Sequence, residues 1–339
     1  MTTVNSGAAG RVLVVGGYGA VGATVTSTLA KWFPGRVVPS GRDEVRARRL
    51  GGVRVDAGDP AGFRQVLDEL GDVSVVALCV EPEDAGLARI CLERGIHLVD
   101  VGATHRLLEE VTELHGLAAA AGATAVLSVG VAPGLTNLLA WRVNDAVGGA
   151  ERIDLTVLLG AGERHGTDAV RWTVAGLGKP VTARAQRLTL PGFGVRTAHP
   201  FPFSDQYTLR RTLGVPEVTT RLCLDSRPLT AALFALRRAG LLRGVRGARQ
   251  RQLLTRVFSR AHLGDDGFAV RADAYRGERH ATLALTGQGQ SRATGLVAAH
   301  AIRTLFTHGV PAGVHHLEQL TALADLPEQL AAHGITAAC

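Results

Sequence analysis

The sequence feature that most constrains this chain is a glycine-rich turn close to its N-terminus. Three glycines with the spacing G-x-G-x-x-G follow an apolar run at residues 12–15, and a helical pattern at 20–32 begins within the turn. In such a strand–turn–helix, the first glycine permits a tight turn and the second lets a pyrophosphate approach the backbone, while the third lets the helix pack on its strand. We therefore predict a dinucleotide-binding turn. Its predicted cofactor-binding residues are Gly17, Tyr18, Gly19, Ala20, Val21 and Gly22.

Alternating strand and helix patterns continue from this turn to about residue 125. The run at 73–80 lacks polar alternation, which is typical of a strand at the centre of a parallel sheet. From about residue 150 the periodicity weakens, and strand-like segments mix with arginine-rich helical ones. We therefore predict an α/β protein with a doubly wound (Rossmann) dinucleotide-binding domain and a second, α+β domain.

Composition indicates a soluble globular protein, with 46% hydrophobic and 20% charged residues. The four cysteines lack the spacing of a metal or redox site, so we expect reduced thiols, a cytoplasmic location and no metal. Residues 1–10 lack the basic and apolar regions of a signal peptide. Residues 116–141 carry no charge, but glycines and Pro133 interrupt them, so we expect no membrane span.

The net charge of +7 and a group of eight arginines suggest a test for nucleic-acid binding. These arginines are spaced around helices rather than along one stripe, and only Phe234 and Phe258 are near enough to stack on bases. We therefore expect a solvated surface and no nucleic-acid partner, with an acidic partner or substrate as the alternative. The arginines are Arg237, Arg238, Arg243, Arg246, Arg249, Arg251, Arg256 and Arg260.

The choice between NAD and NADP depends on the position about twenty residues after the glycines, where NAD-binding domains carry an acidic residue for the ribose 2′-hydroxyl. This chain has Ser40, Gly41 and Arg42 there. A hydroxyl and a guanidinium suit a 2′-phosphate, because arginine offers its oxygens a charged fork. Asp43 would argue for NAD, but its position suits a helix N-cap better. We expect NADP, with NAD as the less favoured cofactor.

These motifs resemble the saccharopine dehydrogenase-like family, which includes saccharopine reductase, carboxynorspermidine dehydrogenase and lysine 6-dehydrogenase. The most specific match is GVAPGLTN at 130–137, close to the loop that opens the substrate domain in this family. The resemblance extends to PAGV at 311–314 and is thin between about 160 and 265. The other matching pieces are GGYGAVG at 16–22, SGR at 40–42, Asp56 and GIHLVD at 95–100.

The resemblance implies an oxidoreductase that uses NADP(H) to transfer hydride at a carbon–nitrogen bond of a small molecule, by imine reduction or amine oxidation. It also implies that the C-terminal helices return to the cofactor domain. We therefore expect a Rossmann domain at 1–125 plus 292–339 and a substrate-binding and dimerisation domain at 126–291. Members of the family are commonly dimers through the substrate domain, so a homodimer is expected.

Residues after the carboxyl ends of the parallel strands face the nicotinamide in such folds. We expect Cys79 and Val80 to line the cofactor, with Cys79 acting as a small apolar group and not as a nucleophile. The resemblance adds Asp56 to the cofactor-binding residues. It also singles out Asp100, which either orients a proton relay or caps the next turn. His105 is either the acid that keeps the substrate nitrogen protonated or an exposed residue of a first helical turn.

Candidate substrate-binding residues follow the family loop and lie farther along the chain. Asn137 and Thr136 either contact the nicotinamide amide or the substrate, or Thr136 caps a helix. His165, Arg171 and Trp172 form a short polar stretch, where Arg171 could bind a substrate carboxylate in bidentate fashion. Surface placement is the alternative for each of these three.

Two other functions stay open on the same fold. One is a reductase of a C=C or C=O bond. The other is a non-catalytic, NADP-binding regulatory protein, because no catalytic residue in the sequence is unmistakable. A closed polar pocket beside the nicotinamide would favour an enzyme, and an open or filled cleft would favour a regulator.

Overall fold

A computed structural model describes residues 10–163, 173, 175–178, 183–239 and 264–338. The chain divides into two compact units. Unit 1 comprises Met1–Gly130 and Thr294–Leu326, and unit 2 comprises Val131–Ala293 and Pro327–Cys339. Among the described helices, none is both long enough and apolar enough to cross a membrane.

The strands and helices of the two units follow one numbering along the chain. The described strands are β1 (Arg11–Val15), β2 (Val37–Gly41), β3 (Val53–Arg54), β4 (Val73–Leu78), β5 (His97–Asp100), β6 (Thr124–Leu127), β7 (Arg152–Leu159), β8 (Gln186–Leu190), β9 (Gly194–Pro200), β10 (Glu217–Leu224), β11 (Gly267–Arg276), β12 (Arg279–Gln288), β13 (Gly313–His316) and β14 (Thr336–Ala338). The described α-helices are α1 (Gly22–Trp32), α2 (Glu44–Arg49), α3 (Pro60–Leu70), α4 (Gly86–Glu93), α5 (His105–Thr112), α6 (His115–Ala120), α7 (Thr136–Val147), α8 (Asp205–Thr212), α9 (Arg227–Arg238), α10 (Gln290–Thr307) and α11 (Leu326–Gln329).

Unit 1 contains a seven-stranded sheet with the order β13–β6–β5–β4–β1–β2–β3. Every pair of neighbouring strands is parallel. Four of the five residues of β1 are buried, because helices cover a sheet of this type on both faces. The doubly wound fold predicted from the sequence is therefore confirmed.

Unit 1 departs from the predicted elements in two places. The sequence pattern favours one helix at 105–121, but the structure divides it into α5 and α6, and Thr112 donates to the carbonyl of Leu108 at the break. Such back-bonding by threonine bends helices. The sequence pattern at 309–313 indicates a linker between two helices, but its last residue, Gly313, begins β13, which joins the sheet edge and lies against His115.

Unit 2 contains a mixed seven-stranded sheet with the order β14–β12–β11–β7–β10–β9–β8. The pair β7–β10 is parallel, and the other described pairs are antiparallel. Helix α7 packs against β11 and β12, and α8 packs against β10. This architecture confirms the prediction of a second, α+β domain.

The C-terminal boundary differs from the expected one. The sequence assigned all of 292–339 to the Rossmann domain, whereas the segment from Pro327 onward groups with unit 2. The physical reason is strand pairing, since β14 extends the second sheet beside β12. The sequence pattern favours a helix at 317–333, whereas the structure has short 3₁₀ turns around α11.

Candidate cofactor and active site

The glycine turn after β1 has contacts that exclude larger side chains. A Cβ atom on Gly22 would lie 2.1 Å from the carbonyl oxygen of Gly16, and one on Gly19 would lie 3.2 Å from the same oxygen. Gly16 itself has φ +80°, a left-handed conformation that favours glycine. The amides of Gly16 and Gly17 both donate to the carbonyl of Ser40 at 2.9 Å. The turn is therefore held against β2 with its backbone open for close approach.

Helix α1 begins directly at this turn and has a first turn suited to anions. It contains no acidic residue in its first turn. Within the described part of the chain, no side chain caps its N-terminus. The positive end of the helix dipole favours a phosphate at such a position. The turn and the helix together fit the pyrophosphate of a dinucleotide.

Tyr18 connects the glycine turn to the loop after β2. Its ring lies so close to Gly41 that a Cβ atom there would be 2.4 Å from the Tyr18 hydroxyl oxygen. The hydroxyl accepts a hydrogen bond from the amide of Asp43 at 2.9 Å. Arg46 crosses the ring, with its guanidinium carbon 4.7 Å from the ring centroid, and its Nη2 donates to the carbonyl of Tyr18 at 3.0 Å. Sequence reasoning missed Arg46, because only the fold of α2 brings it over the tyrosine.

Two charged side chains of this loop differ in their contacts: Asp43 caps a helix, whereas Arg42 is exposed. Asp43 caps α2, and its carboxylate accepts from the amide of Arg46 at 3.0 Å. The helix-cap interpretation of Asp43 is therefore confirmed. Arg42 is exposed and makes no hydrogen bond or ion pair with any other residue that the structure describes. A guanidinium without an internal partner is available for a bound phosphate.

Ser40 lies inside the sheet rather than at the loop surface. It is fully buried, and its hydroxyl donates to the carbonyl of Val14 at 3.1 Å. The expectation that this hydroxyl meets a 2′-phosphate is corrected accordingly: Ser40 stabilises the pairing of β2 with β1. Asp56, after β3, is partly buried and accepts from the amide of Gly58 at 3.0 Å, which shapes the next turn.

Cys79, Val80 and Asp100 lie at the carboxyl ends of β4 and β5. Val80 packs on the glycine turn, since a Cβ atom on Gly16 would lie 2.6 Å from its Cγ1 atom. Burial, reinforced by the charge of Asp100, raises the pKa of the Cys79 thiol to about 12. A thiol that stays protonated is a poor nucleophile, in agreement with the apolar role expected for Cys79.

Asp100 is the most perturbed carboxyl group of this edge. It is 3% exposed, and it accepts a hydrogen bond of 2.7 Å from the amide of Gly102. Burial raises the pKa of Asp100 to about 6, the Gly102 hydrogen bond opposes this rise, and the charge of Glu81 adds to it. A carboxyl group that titrates near neutral pH at a strand end is suited to holding and releasing a proton.

His105 is the first residue of α5 and is partly buried. Its Nε2 atom lies 3.5 Å from the carboxylate of Glu109, one turn farther along the helix. The imidazole is therefore neither a fully exposed surface group nor a fully enclosed one.

Ser128 and His316 form a buried pair that sequence reasoning missed. Oγ of Ser128 lies 2.8 Å from Nδ1 of His316. Ser128 follows β6 with φ +56°, which is unusual for a residue with a side chain, and it is fully buried. The pair extends the row of polar groups at the carboxyl ends of the parallel strands, beyond Asp100 on β5. Its two residues are 188 positions apart in the sequence, and β13 was not predicted as a strand.

In unit 2, Asn137 is fully buried at the start of α7. Its Oδ1 atom accepts from the amide of Gly134 at 3.1 Å, and its Nδ2 atom donates to Oγ1 of Thr208 at 3.4 Å. Thr136 is also fully buried. Within unit 2, the Asn137 amide therefore links the family loop and α7 to α8, a structural role that the sequence did not indicate.

Several predicted residues lie outside the described part of the chain. They include the substrate candidates His165, Arg171 and Trp172. Of the eight clustered arginines, Arg237 and Arg238 are described, and Nη1 of Arg237 donates to the carbonyl of Pro200 at 2.6 Å. Among the described residues, no group of three or more His, Cys, Asp or Glu side chains is placed to hold a metal ion.

Comparison with known proteins identifies the first unit. Residues 12–126 match the family described as saccharopine dehydrogenase NADP binding domain. The fold of the chain is similar to that of apo saccharopine dehydrogenase (L-Glu forming) from Saccharomyces cerevisiae, with a TM-score of 0.66 and 16% identity over 97% of this chain and 99% of the yeast chain. A second similar structure is DAP dehydrogenase from C. glutamicum in complex with DAP, at 16% identity and a TM-score of 0.49 over 96% and 99% of the two chains.

Proposed function

We propose that this chain, whose residues 12–126 match the family described as saccharopine dehydrogenase NADP binding domain, is an NADP-dependent oxidoreductase acting at a carbon–nitrogen bond of a small molecule. The reaction is the reduction of an imine or the oxidation of an amine. NADPH is the preferred cofactor and NADH the weaker one.

The observation that carries the proposal is the cradle formed by the glycine turn and the loop after β2. The turn admits a pyrophosphate because Gly22 has no room for a Cβ atom. The loop supports a preference for a 2′-phosphate because Arg42 is unpaired among the described residues, Arg46 lies over the Tyr18 ring, and Asp43 is engaged as a helix cap. An engaged carboxylate is a poor ligand for the free ribose hydroxyl of NAD.

The chemistry at the substrate nitrogen requires a proton donor or acceptor. The nicotinamide, when bound, supplies or accepts the hydride. The protein must hold a proton for the nitrogen, since a protonated imine accepts hydride far more readily than a neutral one. We assign this role to Asp100, because its raised pKa of about 6 lets the carboxyl group take up and release a proton close to neutral pH. His105 is the alternative proton donor, and its partly buried position at the start of α5 allows this.

The remaining assignments follow from the same family reading. Unit 2 is the proposed substrate-binding and dimerisation part, and the protein is proposed to be a cytoplasmic homodimer. Arg171 is the proposed ligand of a substrate carboxylate, with Trp172 beside it in the sequence. Asn137 is proposed to act on the substrate side only through the loop that its amide holds.

The test of the reaction class is the oxidation of NADPH with defined substrates. We expect turnover with a cyclic imine, or with an amine plus a carbonyl compound, and none with the carbonyl compound alone. Turnover of a simple ketone without an amine would instead indicate a C=O reductase. Tight NADPH binding with no turnover of any imine, amine, ketone or enone would indicate a regulatory protein.

The test of the proton-holding residue compares Asp100→Asn with His105→Ala. The variant that removes the acid should lose turnover, retain NADPH binding and lose one limb of the pH–rate profile. Unaltered turnover in both variants would contradict the assignment of both residues and leave the reaction class intact.

A further inference from the structure

The second sheet carries a polar face whose side chains lie side by side on four strands. The register places Thr219, Asp154, Asp273 and Thr282 opposite one another across β10, β7, β11 and β12. The neighbouring row, two residues away, consists of Glu217, Arg152, Tyr275 and His280. Because side chains two residues apart share a face, these eight groups form one continuous polar surface.

The half of this surface on β11 and β12 is internally satisfied. Asp273 is 2% exposed, and both of its oxygens accept from Arg271, at 2.6 and 2.8 Å. The hydroxyl of Thr282 donates to it as well, at 2.7 Å. This carboxylate therefore needs no help from the arginines of the neighbouring strands.

The half on β7 and β10 is arranged differently, because one carboxylate serves two arginines. Asp154 is 5% exposed; its Oδ1 atom accepts from Nη1 of Arg221 at 2.8 Å, and its Oδ2 atom lies 3.3 Å from Nε of Arg152. Nε of Arg221 donates to the carbonyl of Arg184 at 3.1 Å. Arg152 also lies over the ring of Tyr275, at 4.3 Å from its centroid. Asp154 thus fixes the direction of two guanidinium groups.

These guanidinium groups retain donors beyond the bonds to Asp154. Arg221 is 9% exposed, and its hydrogen bonds to other described residues use Nη1 and Nε but not Nη2. A guanidinium has five N–H donors in a planar fork. A buried guanidinium with an unused nitrogen is suited to a ligand that brings acceptor oxygens.

A cavity of about 330 Å³ lies in front of this pair. It is lined by Arg152, Arg184 and Arg221, against the two carboxylates Asp154 and Glu217. Three guanidinium groups against two carboxylates give the lining a net formal charge of +1, which favours an anion. A volume of this size lies at the lower end of the range of small-molecule sites, roughly 300–1,000 Å³.

From this arrangement we propose that the cavity on β7 and β10 binds the oxyanion group, carboxylate or phosphate, of a small molecule. All of the residues that line this cavity belong to unit 2. The three arginines recognise the anion, Asp154 positions two of them, and Gln186 and Thr219 supply uncharged polar groups at the wall. Hydrogen bonds between guanidinium groups and an anion are charge-assisted and are therefore stronger than hydrogen bonds between neutral groups.

The test is titration calorimetry of the full chain at low salt, with inorganic phosphate and citrate as separate probes for the two oxyanion classes. We expect saturable binding of at least one probe. Arg152→Gln and Arg184→Gln should each weaken it about tenfold or more, because each removes charged donors. Arg187→Gln is the matched control: Arg187 is an exposed arginine of β8 that does not line the cavity, so affinity should be unchanged.

Arg221 is left intact in this design, because its removal would leave Asp154 buried without its closest partner. Absence of binding by both probes in the native protein would overturn the proposal, as would equal affinity in all variants. Sedimentation velocity provides the third arm. If the cavity variants convert a dimer to a monomer while neither probe binds, a second copy of the chain occupies this face, and the oxyanion site is refuted.

Discussion

The two sheets of this protein place their polar groups in different ways. In unit 1 the central strands are buried on both faces, and the buried polar groups of the candidate site lie at strand ends, as with Asp100 at the end of β5 and Ser128 after β6. In unit 2 the polar groups lie along the strands on one face, where Asp154 and Asp273 stand opposite each other in register. The first arrangement gathers polar groups at an edge suited to a cofactor. The second makes a charged floor, in which Arg152, Arg221 and Arg271 neutralise the carboxylates of Asp154 and Asp273.

The largest expected effect tests whether the charged floor stabilises unit 2. Arg271→Met removes the arginine that pairs both oxygens of the buried Asp273, and breaking a buried pair on one side costs about 3–5 kcal/mol. Urea denaturation measures the change in unfolding free energy. In unit 1 the matched variant is Arg48→Met, which breaks an exposed pair with Glu44 and should cost at most about 0.5 kcal/mol. Equal losses of unfolding free energy in the two variants would contradict the expected difference between the buried pair of the charged floor and the exposed pair of α2.

The next effect concerns the edge of the parallel sheet and has a pH signature. The pKa of Asp100 rises from 3.8 to about 6 on folding, so ionisation disfavours the folded state as pH increases through this interval. Asp100→Asn lacks this loss. The difference in unfolding free energy between this variant and the native protein should therefore shift in favour of the variant by up to about 3 kcal/mol between about pH 4 and 6, and then remain constant. Thermal or urea unfolding across this range is the measurement. A constant difference at every pH would show that Asp100 titrates normally.

The third prediction addresses the loop that distinguishes the two cofactors. Arg42→Ala and Arg46→Ala should each reduce the preference for NADPH over NADH about ten- to a hundredfold, because each removes a charged donor from the 2′-phosphate. Fluorescence titration with both cofactors gives the ratio. Arg49→Ala, an exposed arginine at the end of the same helix, is the control and should keep the native ratio. Equal affinity of the native protein for NADPH and NADH would refute the assignment.

The smallest expected effect tests the close approach in the glycine turn. Gly22→Ala places a methyl group 2.1 Å from the Gly16 carbonyl oxygen, and overpacking of this kind costs about 1–3 kcal/mol. NADPH affinity should fall, since the turn must move to relieve the contact. Gly309→Ala adds the same methyl group where no atom lies within 4 Å, and it should leave binding unchanged. If Gly22→Ala bound NADPH with native affinity, the turn would be shown to accommodate the added methyl group without loss of cofactor binding.

The sequence predicted the parts of unit 1 that depend on local pattern. The G-x-G-x-x-G turn and the unalternating strands β1 and β4 report burial directly, because a strand covered on both faces has no exposed side. Asp43 was recognisable as a helix cap from its position just before α2. These features need no knowledge of distant residues.

The sequence failed where the contact partner is remote. Ser128 meets His316 only because β13 joins the sheet edge beside β6, and the sequence GVHH lacks a strong strand pattern. Arg46 meets Tyr18 only through the fold of α2. Ser40 was misplaced because its residue type suits a phosphate ligand, whereas its strand position directs the hydroxyl to Val14.

The engaged carboxylate of Asp43 also sets the route for redesigning cofactor preference. In the design of an NADH-dependent protein, Asp43 cannot serve as the ligand of the ribose 2′-hydroxyl, because its carboxylate already caps the N-terminus of α2. A new acid at position 41 is excluded as well, since Tyr18 fills the space beside Gly41. Position 42 is therefore the position at which an acidic residue can be introduced, and Arg42→Asp combined with Arg46→Ala is the design with the fewest substitutions. Its success would be measured as a reversal of the NADPH-to-NADH affinity ratio.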